Sequence, residues 1–85
     1  MQINLKFFAS VRELLGTSNE SITVPADVRT VGAVRTLLAA RGGAWAEALG
    51  DGRALRMAFN QQMCPATTPL EDGCEVAFFP PVTGG

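Results

Sequence analysis

QINLKFF, residues 2–8, alternates: Ile3, Leu5 and Phe7 fall on one side, and Gln2, Asn4, Lys6 and Phe8 on the other. A period of two is the signature of a strand with one face buried and one face wet. Phe8 breaks the polar side, so the second face is not purely solvated. Ser10 with Glu13 three residues later has capping-box spacing. It predicts a short helix through Val11, Leu14 and Leu15 that Gly16 closes. ESITVP, residues 20–25, reads as a second strand, returned beside the first by that helix-bearing loop.

Thr30 is placed to cap a longer helix. Val31, Val34, Leu37 and Leu38 then recur at helical spacing until Gly42-Gly43 stops it. AWAEAL, residues 44–49, suggests one more helical turn, with Trp45 as a core or lid aromatic. ALRMAF, residues 54–59, is a third strand, Asn60-Gln61-Gln62 a tight turn, and Met63-Cys64 a short return strand. Leu70-Glu71-Asp72-Gly73 carries a turn signal. CEVAFF, residues 74–79, is the last strand, with Val76 and Phe78 on one face and Ala77 and Phe79 on the other. Strand, helix, strand, long helix and three strands, with an antiparallel first hairpin, make an α+β fold. One domain is expected over residues 1–79, followed by a flexible tail over residues 80–85.

Composition narrows the function by exclusion. The chain has 85 residues, 47% of them hydrophobic, a net charge of −1 and no histidine. It can build one core but carries no basic stripe for a phosphate backbone, so nucleic acid is not an expected partner. It opens on a strand pattern, and no apolar run nears the roughly 18–20 residues of a membrane span. No membrane partner is expected, and the cytoplasm is the expected address. Without histidine, Ser-His and Cys-His catalysis and most metal sites are excluded within the chain. Cys64 and Cys74 form no C-x-x-C pair and are expected as buried thiols.

The end of the sequence is FFPPVTGG, residues 78–85. Pro80 and Pro81 remove two donors and lock φ, so the last strand stops at Phe79 and the chain leaves stiffly. A polyproline-like start costs little entropy to order in a groove. Val82 and Thr83 offer small grips. Gly84 and Gly85 offer the thinnest possible peptide end, able to enter a channel that a Cβ would block. A carboxylate there is a poor electrophile until activated, for example as an acyl-adenylate. Sulfur attack would then leave a thiocarboxylate, and amine attack an isopeptide. The diglycine does not choose between them.

FFASVRELLG near the start, FNQQ, the LEDG turn and EVAFFPPVTGG at the end together resemble the molybdopterin synthase small-subunit family, ubiquitin-like β-grasp sulfur carriers. The resemblance spans the whole chain. It implies a mixed sheet packed on one main helix, with an extended C-terminal tail. It implies that Gly85 is the reacting residue, adenylated by a ubiquitin-activating-type adenylyltransferase that uses ATP. A sulfur donor protein then converts it to a thiocarboxylate. The carrier itself binds no cofactor. The partner is the large synthase subunit, in a heterotetramer, where sulfur passes to cyclic pyranopterin phosphate and builds the dithiolene. In such a sheet the first and last strands are neighbours, so Phe8 and Phe79 should lie together. The resemblance adds Arg12 and Met63 to that partner surface, with Pro80, Pro81, Val82, Thr83 and Gly84 following into the partner. Sulfur carriage to a thiamine thiazole, a protein modifier and a plain interaction module with an inert tail are the competing readings.

Overall fold

The computed structural model describes residues 1–81. Eight elements follow in order: β1 (Gln2–Phe7), α1 (Ala9–Leu15), β2 (Asn19–Thr23), α2 (Val31–Ala39), α3 (Ala44–Leu49), β3 (Arg56–Phe59), β4 (Gln62–Cys64) and β5 (Glu75–Phe79). The strands form one sheet in the order β2-β1-β5-β3-β4. β1 and β5 run parallel at its centre, and the remaining pairs are antiparallel.

The alternation of β1 becomes the division between the two faces. Ile3, Leu5 and Phe7 are buried, as are Val76 and Phe78 on β5, and Val31, Val34 and Leu38 of α2 with Leu49 of α3 complete the same core. Phe7 stacks on Phe78 at 6.4 Å between ring centroids and meets the edge of Trp45 at 5.6 Å. Trp45, half-buried, closes that end of the core, with the Arg41 guanidinium 4.3 Å over its ring.

The helical layer is held by one local cap and by polar groups whose partners are distant in sequence. Thr30 Oγ1 accepts the Ala33 N–H at 3.1 Å, capping α2 as its position predicts. The next two orphan donors of that terminus, Val31 N–H and Gly32 N–H, reach the Thr68 and Ala66 carbonyls at 3.0 and 2.8 Å. Gly32 permits this approach, because a Cβ there would stand 2.9 Å from the Ala66 Cβ. Arg35 donates to the carbonyls of Leu49, Gly50 and Arg53 at 2.6–2.7 Å, satisfying the C-terminal end of α3 and the loop after it. Arg41 forms a two-pronged pair with Glu20 at 3.1 and 2.7 Å. Arg41 holds the Glu20 carboxyl below its ordinary value, chiefly by that hydrogen bond.

Two local expectations change. Ser10 is not a cap: α1 already begins at Ala9, and Phe8, without a side-chain cap, stands at the N-cap. The Phe8 N–H continues the ladder to the Phe78 carbonyl at 3.3 Å, while its own carbonyl accepts Val11 N–H at 3.2 Å. The chain must therefore turn from strand to helix at one residue, and Ala9 takes a left-handed φ of 52° to do it. The strands are also one or two residues shorter than their apolar runs at several ends, and Gln62 belongs to β4 rather than to the turn. Cys74 is buried, but Cys64 only partly so.

β5 ends at Phe79, and Pro80 and Pro81 follow without regular structure. The expected mobility after Pro81 falls on residues 82–85, which lie outside the described residues. Among the described residues no helix is long and apolar enough to cross a membrane, and no cluster of His, Cys, Asp and Glu could hold a metal ion.

Candidate partner-docking face and tail exit

The register of the sheet determines what meets on the face away from the helices. Lys6 lies opposite Ala77, Ala77 opposite Ala58, and Ala58 opposite Met63, so these four form one row across β1, β5, β3 and β4. The next row places Phe79 beside Arg56. The two alanines are short, and the side chains around them rise above, leaving Ala58 at 7% and Ala77 at 4% exposure. They floor an apolar depression of about 470 Å³ walled by Phe8, Phe79 and Met63. Pro80 and Pro81 line the same depression, so the chain leaves the sheet along its edge.

Phe8 and Phe79 meet edge to face, with centroids 6.3 Å apart and planes at 81°. The two rings brace one another, a contact of about 0.5–1.5 kcal/mol beyond area burial. Phe8 nevertheless stays 49% exposed and Met63 60% exposed. No helix among the described residues covers them. Three large apolar side chains on one open sheet face form the kind of patch that marks an interaction surface.

The sequence-predicted site residues divide into three groups. Phe8, Met63, Phe79, Pro80 and Pro81 come together around one depression. Arg12 does not line it; it lies exposed in the last turn of α1. Val82, Thr83, Gly84 and Gly85 lie outside the described residues.

Two contributors escaped the reading of the sequence. Asn60 is more than a turn residue: its N–H donates to the Glu75 carbonyl and its Oδ1 accepts the Glu75 N–H, both at 2.9 Å. This pair continues the β3–β5 ladder beyond the strand end. It pins the hairpin that carries Met63, with Asn60 and Gln61 both left-handed at φ 47° and 70° as a primed two-residue turn requires. Asn is among the residues that tolerate this conformation, and that was the available signal. Ala9 is the second, because its left-handed turn lets the chain enter α1 while Phe8 keeps its place on the ladder. Its type gives no signal at all.

The central parallel pair flanked by antiparallel hairpins, with the helical layer on one face and the apolar depression on the other, define a ubiquitin-like β-grasp protein. The chain belongs to the ThiS family, whose model matches residues 5–85. It is 53% identical over 83 residues to the molybdopterin synthase sulfur carrier subunit of Escherichia coli K12, covering 98% of this chain and 99% of that one. It is 46% identical, with the same coverage, to the subunit of that name from Haemophilus influenzae. Among solved structures it superposes on a chain of the complex of subunits 1 and 2 of molybdopterin-converting factor from Helicobacter pylori. The TM-score there is 0.69 at 26% identity, over 100% of both chains.

Proposed function

We propose that this chain is the sulfur carrier subunit of a molybdopterin synthase and works through a thiocarboxylate on Gly85. The observation that carries this reading is the 53% identity to the Escherichia coli carrier over nearly the full length of both chains. The family match running to Gly85 supports the assignment of the reacting end. An apolar face continuous with Pro80 and Pro81 is what a carrier needs if its body docks while its tail enters a partner.

The chemistry proceeds in three stages. A ubiquitin-activating-type adenylyltransferase joins the Gly85 carboxylate to AMP from ATP, releasing pyrophosphate. Sulfur supplied by a donor protein displaces AMP, and a thiol reductant that breaks its bond to the donor leaves it on Gly85 as the thiocarboxylate. The large synthase subunit then receives the tail, the sulfur attacks cyclic pyranopterin phosphate, and hydrolysis returns Gly85 to a carboxylate. Two such transfers complete the dithiolene. ATP is used by the activating enzyme, and the carrier holds no cofactor of its own. Catalytic groups come from the large subunit, which suits a chain without histidine. The large subunit is the docking partner in a heterotetramer, consistent with the two-subunit complex of the Helicobacter pylori relative. Phe8, Met63 and Phe79 form the docking contact, Arg12 its flank, and Pro80 to Gly84 the segment that follows into the active site. The proposed setting is the cytoplasm.

The test is sequencing of the C-terminal fragment from protein purified from its own host, combined with dithiolene formation by the reconstituted synthase. Sulfur localised on Gly85, and loss of activity when Gly85 is deleted, are expected. A fully active truncated chain would sink the proposal. An isopeptide-linked Gly85 would replace it with a protein modifier, and rescue of thiamine-thiazole synthesis instead of molybdopterin would change the acceptor.

A further inference from the structure

Two basic residues stand one strand away from the β5 residues of the depression, although neither lines it. Lys6 stands beside Ala77 in the floor row, and Arg56 beside Phe79 in the next. Each is one strand outside β5 and on opposite sides of it, so strand and residue spacings set their Cα atoms about 12 Å apart. Neither is ion-paired among the described residues, where the one ion pair is Arg41–Glu20. Glu20 lies opposite Leu5 in the register, on the other face. One carboxylate lines the depression, that of Glu75. Lys6 and Arg56 therefore flank the apolar floor by register on either side of β5, while Glu75 lines the depression and, with Glu20, borders the neighbouring groove that Lys6 lines.

We infer that the surface receiving this face carries two carboxylates, placed to pair with Lys6 and Arg56 on either side of an apolar projection that fills the alanine-floored depression. The inference rests on the proposed function, with the large synthase subunit as the occupant. Two isolated cations flanking an apolar floor do not track a phosphate backbone, which needs a continuous basic stripe. They suit a protein surface with a desolvated centre and a charged rim. Rim charges of this kind act on encounter and on choice of partner more than on the lifetime of the complex. Lys6 is half-buried, and a lysine so placed can cover its stem while its charge stays accessible to a partner. Glu75 opposes both cations, so its removal should act with the opposite sign.

The experiment is stopped-flow association of the full-length carrier with the large subunit from the same host, at low and high salt. Lys6→Gln and Arg56→Gln should each slow association about threefold, and the double variant about tenfold, at about 20 mM salt, with differences below about twofold at about 0.5 M. Glu75→Gln should speed it. Melting temperatures of all variants should match the wild type, separating rim charge from fold. Tight binding by the double variant, with wild-type rates and wild-type salt dependence, would overturn the inference while leaving the proposed function standing. Failure of the wild-type carrier to bind the large subunit at any salt would overturn both.

Discussion

Phe7 and Phe8 are adjacent and chemically identical, and so are Phe78 and Phe79. The sheet nevertheless sends one of each pair to each of its faces. Phe7 and Phe78 are stacked nearly parallel, with 17° between ring planes, and are at most 1% exposed beneath the helices. Phe8 and Phe79 meet edge to face beside two alanines on a face that no helix covers among the described residues. The same residue type on the same two chain segments therefore has two environments, separated only by the parity of the pleat. Burial of an aromatic ring stabilises by about 1.5–3 kcal/mol relative to exposure. On the covered face folding collects that energy; on the open face Phe8 stays 49% exposed and part of it is not collected.

The largest effect that could break this contrast is on the covered face. Phe78→Ala should lower unfolding free energy by about 3–5 kcal/mol, measured by urea denaturation. Phe79→Asp should cost less stability, about 1–2 kcal/mol from the lost Phe8 contact and partial burial, but weaken binding to the large subunit by about 2 kcal/mol or more beyond that in titration calorimetry. Comparable stability losses in both would mean that the rings are parts of one core. Arg35→Ala comes next, at about 1.5–3 kcal/mol, because it strands the carbonyls of Leu49, Gly50 and Arg53. That loss should appear in stability and leave docking unchanged, since Arg35 belongs to the helical side. Asn60→Ala should cost about 1 kcal/mol through the lost Glu75 link. It should also loosen Met63, read as a fall in large-subunit affinity larger than the stability change accounts for.

The smallest effect is at the Glu20–Arg41 pair, which is about one-third exposed on each side and so is worth under about 1 kcal/mol. Glu20 has a folded-state pKa below the ordinary 4.5. Its contribution is therefore fully present above that ordinary value and is lost as pH falls through the depressed one. Glu20→Gln should reduce the urea midpoint slightly at pH 7, and the difference from wild type should vanish in acid. A difference that grew on acidification would refute the pairing.

Much of this contrast was legible in advance. Alternation in QINLKFF and CEVAFF separates the two faces without knowledge of any contact, because a strand's side chains can only alternate. The Thr30 cap, the Asn60-Gln61 turn and the stop at Pro80 follow equally from local chemistry. Ser10 shows the limit. Its spacing to Glu13 is a valid cap signal, but the Phe8–Phe78 hydrogen bond, 70 residues apart in sequence, claims the backbone first. Arg35 was legible only as a charge on a helix, since its three acceptors lie 14–18 residues away. The depression needed Ala58 and Ala77 side by side, and alanines on separate strands carry no joint signal until register aligns them.

The sequence by itself determined most of the elements, the parity of each strand and the stop of β5 before Pro80, because these depend on neighbours within a few residues. That β1 and β5 lie together, with Phe8, Phe79 and Met63 on one face, was expected from the resembled fold and from no local signal; only the tertiary structure decided the register that sets Ala58 beside Ala77 and, among the described residues, that helices cover one face alone. Those outcomes depend on which distant segments exchange hydrogen bonds and bury apolar area together, a competition that no single segment can resolve alone.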